Sequence, residues 1–537
     1  TTPSIVTNRT PVALRGAAPI AATVIEVNGQ PHVIKWMSET NWQIQVALTN
    51  GVNNLAFRAL DEQGVVVGND TRAITYTGPD VSLAGKLVIS EIMYHPAAPA
   101  SSFVEIHNRS ATETLPLGGV RVRGVGVTIG HGRFLEPGGY AVVADSLPGY
   151  QSTYGNAEVV VAEFGGKLSS RGEMLSLEAA QGTNWQVLNQ VAYSNERPWP
   201  AAADEGGVSL QLVDPMQDNA RVGNWATGSG ATPGRSNTVQ QALPMFPPLW
   251  LNEVQPENLS GPLDAAGQRH PWVELYNAGS SNLTLDGVWL GDEYAAPAKW
   301  AFPTNTVIPP GGFLVVWCGG DTNATSDTEL HSNLTLPPGT GAVVLSRQLD
   351  GGTLQTLDYL NYAGVPEDWS YGAVPDGQPF TRRTLFYVTP GDTNNAAEPP
   401  ITLFINEWMA SNTRTWPNPA GGGYDDWFEL YNPNLFAVDL AGWALANSLT
   451  NPAQNVIPSG YSVPATGYLL VWADGKPSRN ASSHPDLHVN FKLNRDGEAI
   501  ALFAPDGRLV DSVVFGPQTS DVSEGRYPAG SPYIYPL

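Results

Sequence analysis

The sequence has a single cysteine, Cys318, and few basic residues. One cysteine cannot form an internal disulfide, so the fold must rest on packing alone. No apolar segment approaches the roughly 20 residues of a membrane-spanning helix, so we expect no membrane span. The chain has 27 basic residues, of which six are lysine, and 50 acidic ones, which gives a net charge of −23. Such an acidic chain repels phosphate backbones, so we expect no nucleic-acid partner.

No signal peptide is visible in the sequence, which begins at Thr1 rather than at a methionine. We therefore expect a processed or trimmed piece of a longer precursor, although a cloned fragment would look the same. The abundant residues favour strands and turns: 56 glycines and 45 prolines punctuate a chain rich in valine, threonine and aromatics. A hydrophobic fraction of 42% is enough for packed cores. The composition predicts an all-β protein.

Six segments recur in the same order at three places in the chain. The first contains a glutamate after serine or asparagine, at residues 89–92, 251–254 and 405–408. The second contains another glutamate, at residues 103–108, 272–277 and 427–432. A Leu-x-Gly turn, a Pro/Gly turn into an apolar strand, and two more strands follow. The spacing of Glu91, Glu253 and Glu407 gives a period of about 155–165 residues, long enough for each repeat to be an independent domain.

Two of the repeats close with the same Thr-Pro-Gly-x-x-Asn segment, at residues 232–237 and 389–394. The third repeat reaches Leu537 before such a tail, so we expect it to be truncated there. Proline-bearing linkers at 240–248 and 396–400 predict semi-rigid connections. The first 80 residues differ from the repeats: about six short strands and an Asn-Gly turn at Asn28 predict a small sandwich.

The order of motifs resembles the bacterial lamin-tail domain. The third repeat is the most similar, with Asn406-Glu407, Trp-Phe-Glu-Leu-Tyr-Asn at 427–432 and Leu-Ala-Gly-Trp at 440–443. The first repeat departs most, because Ser90 replaces the asparagine and His107 replaces an aromatic residue. Nuclear lamins carry this domain after a coiled-coil rod. No heptad run exists here, so a nuclear lamin is excluded.

The resemblance implies an immunoglobulin-like β-sandwich for each repeat, in a large secreted or surface protein. The fold expectation is therefore an all-β, multidomain array of immunoglobulin-like β-sandwiches. Its predicted parts are a small immunoglobulin-like domain at 1–80 and lamin-tail-like domains at 81–239, 246–397 and 401–537.

Two glutamates per repeat are the strongest candidate site, together with the tryptophan beside the second one in two repeats. These repeat-defining residues are Glu91, Glu105, Glu253, Glu274, Glu407, Glu429, Trp272 and Trp427. Strand alternation places Glu274 on one face with Trp272 and Tyr276. The paired carboxylates could accept hydrogen bonds and fix the register, bind Ca²⁺, or act as a glycosidase acid/base pair. We favour the structural role, because an active site rarely recurs three times in one chain.

Calcium is the one cofactor that the sequence suggests, with candidate ligands at Glu407, Glu429, Asp425 and Asp426. We predict no catalytic residues and no other cofactor. Most of the 16 tryptophans sit at repeated strand positions and are expected in cores, although exposed aromatic rings could stack on sugars.

The leading hypothesis is a non-catalytic extracellular structural or adhesive protein, self-associating end to end into a filament or layer or binding other surface proteins. The alternative is a carbohydrate-binding accessory region of a larger secreted enzyme. An enzyme in its own right is the third class. The lamin-tail resemblance, the missing start methionine and the acidic, cysteine-poor composition lead us to expect the chain outside the cell or at its surface.

Overall fold

The structure is a computed structural model that describes residues 5–326, 328–434, 436–480 and 485–537. Its contacts divide the chain into two compact units, Thr1–Ala397 and Glu398–Leu537. Within the described residues, no helix has the length and apolar character required to cross a membrane.

The N-terminal part forms two sheets around its own apolar core. Its strands are β1 (Ile5–Thr7), β2 (Val12–Ala17), β3 (Val24–Val27), β4 (Gln30–His32), β5 (Lys35–Trp36), β6 (Asn41–Val46), β7 (Gly51–Leu60) and β8 (Val66–Tyr76). The strand orders are β1-β8-β7-β3-β4 and β2-β6-β5. Ile25, Ile44 and Ile74 are 1% exposed at its centre, because strand alternation turns every second residue inward.

The first repeat contains twelve strands and one α-helix. They are β9 (Leu87–Met93), β10 (Phe103–Asn108), β11 (Leu115–Pro116), β12 (Arg121–Arg123), β13 (Val127–Thr128), β14 (Phe134–Leu135), β15 (Tyr140–Ala144), α1 (Leu147–Tyr154), β16 (Val160–Glu163), β17 (Gly172–Gln181), β18 (Asn184–Ser194), β19 (Leu210–Leu212) and β20 (Trp225–Thr227). Short 3-10 turns cover Ala157–Val159, Ala201–Asp204 and Val222–Asn224.

The second repeat also has twelve strands among its described residues. They are β21 (Leu249–Gln255), β22 (Trp272–Asn277), β23 (Leu283–Thr284), β24 (Val288–Gly291), β25 (Trp300–Ala301), β26 (Val307–Ile308), β27 (Phe313–Trp317), β28 (Leu330–His331), β29 (Gly339–Gln348), β30 (Leu354–Val365), β31 (Ser370–Ala373) and β32 (Arg382–Leu385). A 3-10 turn covers Thr322–Ala324.

The third repeat, which lies in the Glu398–Leu537 unit, completes the set. Its strands are β33 (Phe404–Met409), β34 (Trp427–Tyr431), β35 (Val438–Asp439), β36 (Ala444–Ala446), β37 (Asn455–Val456), β38 (Ser462–Val463), β39 (Tyr468–Trp472), β40 (Leu487–His488), β41 (Glu498–Phe503), β42 (Leu509–Phe515), β43 (Glu524–Arg526) and β44 (Ile534–Pro536). A 3-10 turn covers Pro477–Arg479.

The three repeats share one strand order. Each has a six-stranded sheet, ordered β16-β15-β10-β9-β19-β20 in the first repeat, β28-β27-β22-β21-β31-β32 in the second and β40-β39-β34-β33-β43-β44 in the third. Each has a four-stranded sheet, ordered β13-β12-β17-β18, β25-β24-β29-β30 and β37-β36-β41-β42. Apolar residues of both sheets meet in one core per repeat. The predicted fold class, an all-β array of immunoglobulin-like sandwiches, is confirmed.

The first and second repeats are clamped together at Arg221. Its guanidinium is 3% exposed and stacks on the Trp250 ring, 3.2 Å from the ring centroid. It donates to the carbonyl oxygens of Pro247 (3.0 Å), Leu249 (2.8 Å) and Leu357 (3.0 Å). Burial lowers its pKa to about 10, which still leaves it charged at neutral pH. The end of the linker, from Pro247 to Leu249, is therefore held against a buried cation.

Candidate functional site

The two glutamates of each repeat face each other across the two central strands of the six-stranded sheet. The registers pair Glu91 with Glu105, Glu253 with Glu274 and Glu407 with Glu429. Directly opposite side chains in an antiparallel pair lie about 5 Å apart at Cβ, so the carboxylates are neighbours. They lie on the face opposite the core, since Val273 and Leu275, which alternate with Glu274, pack in the core.

A bulge at the same position in each repeat brings a third polar side chain to the pair. The ladder shifts register beside the first glutamate, which leaves Ser90, Asn252 and Asn406 as the extra residues. A bulge locally breaks strand alternation, so these side chains can turn to the glutamate face. Ser90 Oγ donates to Glu105 (2.7 Å), Asn252 Nδ2 donates to Glu274 (3.1 Å), and Asn406 hydrogen-bonds Glu429.

In the first repeat, the closing Thr-Pro-Gly-x-x-Asn tail covers the glutamate pair. The Thr232 backbone N–H and hydroxyl donate to the two oxygens of Glu91, at 2.7 and 3.0 Å. The Gly234 N–H donates to Glu105 at 2.6 Å. Asn237 Nδ2 anchors the tail by donating to the bulge carbonyl of Ser90 (2.8 Å) and to a carbonyl of β19 (2.9 Å). The tail therefore supplies the hydrogen bonds that two buried carboxylates require.

The second repeat repeats these contacts. The Thr389 hydroxyl donates to Glu253 at 3.2 Å, and the Gly391 N–H donates to Glu274 at 2.5 Å. Asn394 Nδ2 donates to the carbonyl oxygens of Asn252 (3.2 Å) and of Ala373 (2.8 Å). Gly234 and Gly391 have φ of +80° and +85°, which explains the glycine in both tails.

A serine at the start of the adjacent strand completes the site in every repeat. The hydroxyls of Ser209, Ser370 and Ser523 donate to Glu91, Glu253 and Glu407 respectively. The six recurring segments do not include these serines. Their common position, directly before β19 or β43 or at the first residue of β31, was the available signal.

Burial raises the pKa of the glutamates in the first two repeats. It raises the pKa of Glu253 to about 7 and of Glu274 to about 8, although serine, threonine and backbone donors oppose the shift. The pKa of Glu105 is raised well above its usual range by burial and then by the neighbouring Glu91 charge. All four side chains are 0% exposed. The pair of the second repeat can therefore hold a proton near neutral pH.

The two predicted tryptophans differ in burial. Trp272 is 0% exposed, and its Nε1 donates to Gln255 at 2.6 Å. Trp427 is half-buried and lies opposite Trp472 in the register. Ten of the 16 tryptophans are buried, and Trp36, Trp185 and Trp416 are the exposed ones.

The four candidate calcium ligands of the third repeat have separate partners. Glu407 and Glu429 form the strand pair, whereas Asp426 accepts from the Asn412 N–H at 3.1 Å. Asp425 accepts from Asn418 Nδ2 at 3.0 Å and lies 3.9 Å from Arg479 Nη1. Across the described ranges, no group of three or more His, Cys, Asp or Glu residues is placed to hold a metal ion. Calcium binding here stays a prediction.

The chemistry that this arrangement supports is hydrogen bonding between segments distant in sequence. In the first two repeats the tail covers the carboxylates, so a substrate would have to displace it to reach them. In the third repeat Glu407 and Glu429 are partly exposed, and burial, followed by the Glu407 charge, raises the pKa of Glu429 to about 7.

Comparisons with known proteins give a family likeness for part of the chain. No curated protein matches it. One similar solved structure is the SGBP-B protein of the Bacteroides ovatus mixed-linkage glucan utilization locus, in complex with a mixed-linkage heptasaccharide. It is 9% identical over 87% of this chain and 86% of that one, with a TM-score of 0.11. Another is an auxiliary nutrient binding protein from Bacteroides ovatus, 7% identical over 95% of each chain, with a TM-score of 0.12.

Such TM-scores carry no argument about fold or function. The family model described as the Lamin Tail Domain matches residues 247–361 and 396–517, which confirms the lamin-tail resemblance for the second and third repeats.

Proposed function

We propose that this chain is a non-catalytic extracellular scaffold or adhesive protein, made of a small immunoglobulin-like domain and three lamin-tail-like domains. The strand order shared by all three repeats supports counting the first repeat as a lamin-tail-like domain. The two sheets around one core between β1 and β8 support an immunoglobulin-like N-terminal domain.

The observation that carries the proposal is how the repeated carboxylates are hydrogen-bonded within the chain itself. In the first two repeats every glutamate of the pair is fully buried and accepts hydrogen bonds from the tail of its own repeat. A general acid or base must reach a substrate proton, directly or through one water. These carboxylates instead bind the closing tail and so hold the end of a domain to its central strands. Such a contact suits a protein that resists extension.

The clamp at Arg221 supports the same role. A buried guanidinium that bridges the linker and the second repeat restrains two neighbouring domains. Trp199 Nε1 adds a hydrogen bond to the Tyr359 hydroxyl at 2.9 Å across the same boundary. Such contacts suit a scaffold, because each one transmits force and restrains orientation between neighbouring domains.

Self-association end to end is part of the proposal and is tested by negative-stain microscopy over a concentration series. Filaments or layers that lengthen with protein concentration are expected. Isolated monomers at every concentration would rule out the proposed self-association. The non-catalytic part is tested on a glycan and phosphoester panel with the wild type and Glu429→Gln. Turnover that the substitution abolishes would make the chain an enzyme.

A second candidate function, carbohydrate binding by an accessory region, is favoured by two exposed aromatic side chains. Trp416 and Tyr424 are 58% and 48% exposed, and both lie in the loop between β33 and β34. Aromatic faces can stack on sugar rings. A glycan array with the wild type, Trp416→Ala and the control Phe436→Ala tests it, since Phe436 is 49% exposed outside this loop. Hits lost only with Trp416→Ala would favour binding.

A further inference from the structure

A cavity of about 280 Å³ lies where the N-terminal part meets the first repeat. The N-terminal part contributes residues of β3, β4, β6 and β7, and the first repeat contributes β11, β14 and residues between them. Ligand sites often form at the boundary between domains, in pockets of roughly 300 Å³ and above. This cavity is at the lower end of that range, so it suits one small ligand.

Two histidines lie side by side across this boundary. The backbones of His32 and His131 form a parallel bridge, and the Val33 N–H donates to the His131 carbonyl oxygen at 2.9 Å. The two rings stack with their centroids 5.6 Å apart. A Cβ on Gly118 would lie 2.7 Å from the His131 Cα, so the first repeat needs a glycine there. These backbone contacts fix both imidazoles at the cavity.

The ionisable side chains that line the cavity are all basic. They are His32, His131 and Arg133, and the described lining residues include no aspartate or glutamate. The whole chain, by contrast, has 50 acidic residues and a net charge of −23. The other polar side chains of the lining are neutral amides, at Asn28, Gln30, Asn53 and Asn54. The cavity is therefore a local concentration of basic groups in an acidic protein.

These basic groups have hydrogen-bond donors that the protein does not use. The Nε atom of Arg133 is buried, and no described residue accepts a hydrogen bond from it. The His32 Nδ1 atom lies 2.9 Å from the Gln30 carbonyl oxygen, so Nδ1 carries a proton and donates it there. A second proton would make Nε2 of the same ring a donor as well. Buried donors are nearly always paired, so the cavity is suited to a ligand that accepts hydrogen bonds.

The protonation of the two histidines depends on what the cavity holds. Burial lowers the pKa of both rings, and the neighbouring His131 lowers the pKa of His32 further. A negative charge close to the rings would favour their charged forms and raise both pKa values. Binding of an anion and uptake of protons by the histidines are therefore linked.

A metal cation fits the same cavity less well. The two imidazoles could supply two ligands, but the described lining has no carboxylate or thiol to supply a third. The Arg133 guanidinium would also repel a cation. The chemistry of the lining therefore favours an anion.

We propose that this cavity binds a small oxyanion, such as a carboxylate or sulfate group, through Arg133, His131 and His32. Arg133 supplies the permanent charge, because a guanidinium stays protonated and its planar fork matches two oxygens of an oxyanion. The imidazoles donate once they are protonated. Because its donors come from both sides of the boundary, the bound anion holds the N-terminal part to the first repeat. The site does not rest on the proposed scaffold function.

The probes are sulfate and glucuronate, titrated into the full chain by calorimetry at constant ionic strength, with glucose as the uncharged control for glucuronate. Both anions keep their charge between about pH 5.5 and about pH 7.5. We expect saturable binding that is at least about tenfold tighter at the lower pH, and no binding of glucose. Equal affinity for the two anions would identify the oxyanion alone as the ligand, and tighter binding of glucuronate would identify an acidic sugar.

Substitutions assign the binding to the cavity. Arg133→Gln should weaken it at least about tenfold. The double variant His32→Gln/His131→Gln should bind with little dependence on pH. Arg171→Gln is the matched control, because it removes one positive charge from an exposed position of the same repeat, outside the cavity. Hydrogen exchange in β10 and β17 checks that each variant is folded.

A measurement on the wild type keeps the test decisive if a variant does not fold. Titration in two buffers of different ionisation enthalpy should show that protons are taken up on binding. The proposal is overturned if neither anion binds saturably, or if binding occurs without proton uptake. Equal weakening by Arg133→Gln and Arg171→Gln would also overturn it, since the anion would then respond only to the overall charge of the chain.

Discussion

The Gly391 N–H donates to the Glu274 carboxylate at 2.5 Å, although 117 residues separate the two in sequence. This bond joins the last segment of the second repeat to its central strand. A matching bond joins Gly234 to Glu105 in the first repeat, at 2.6 Å. In these two repeats, the paired glutamates thus accept hydrogen bonds from the closing segment of their own repeat.

Asn394→Ala should destabilise the second repeat by about 1–3 kcal/mol, because two buried carbonyl oxygens lose their donor. The measurement is urea unfolding, in which a brief deuterium pulse labels the amides that are unprotected at each urea concentration. Deuterium uptake is followed in the peptides that cover β21 and β22. Thr393→Ala is the matched control, since Thr393 is exposed in the same tail. Equal effects of the two substitutions would mean that the asparagine does not anchor the tail.

The stability of the second repeat should fall as the pH rises from about 5 to about 8. Burial raises the pKa of Glu253 to about 7 and of Glu274 to about 8, above the value of about 4.3 expected in the unfolded chain. The folded repeat therefore binds more protons than the unfolded one in this window. The stabilisation is complete below the unfolded pKa and is lost as the pH passes the folded values.

Urea unfolding of the full chain at a series of pH values, read by a deuterium pulse at one common pH, measures this loss. We expect a loss of several kcal/mol in the stability reported by β21 and β22. The double variant Glu253→Gln/Glu274→Gln should show little pH dependence in the same peptides. A wild-type profile as flat as that of the variant would refute the proton linkage.

Arg221→Ala should loosen the joint between the first two repeats. The substitution leaves three carbonyl oxygens without their donor and uncovers the Trp250 ring. Spin labels at Thr112→Cys and Ser280→Cys, both exposed positions, should give a narrow distance distribution that broadens in the variant. Arg235→Ala, at an exposed arginine of the first repeat, should leave it narrow. If both variants keep the wild-type width of the distance distribution, Arg221 does not restrain the joint between the two repeats.

Cys318 should not react with thiol reagents while the second repeat is folded. Its side chain is 4% exposed, and burial raises its pKa to about 12, so little thiolate forms and little reagent reaches it. Reaction with an aromatic disulfide reagent near neutral pH should begin only as urea unfolds this repeat. Ser280→Cys provides an exposed thiol that reacts at once. Prompt modification of wild-type Cys318 without denaturant would contradict the burial.

Local patterns were enough to predict the repetition and the central strands of each repeat, although the structure has twelve strands per repeat. Apolar alternation marks β22, and its face assignment holds, since Val273 and Leu275 lie in the core while Glu274 does not. The bulges at Ser90, Asn252 and Asn406 were not predictable in this way, because one inserted residue breaks the alternation on which the argument depends. The amide of Asn252 reaches Glu274 only through that irregularity.

The role of the tail could not be predicted from local sequence patterns, for a different reason. Thr-Pro-Gly-x-x-Asn was visible as a repeated segment, but its contacts with Glu91 and Glu253 span 141 and 136 residues. Helix α1 was also unpredicted. Its eight residues form because Ser146 caps the Gly149 N–H and Tyr150 packs against Phe103, neither of which has a counterpart in the repeat pattern.

Placing the closing segment last has a consequence for synthesis. A ribosome delivers Glu91 well before Thr232, so the first repeat cannot satisfy its buried carboxylates until nearly all of it has emerged. Until then Glu91 and Glu105 lack the donors that the tail supplies, and partly folded domains with unsatisfied surfaces are the ones that misassemble with neighbours. The first repeat can therefore become fully native only after its tail, which ends at Asn237, has been synthesised.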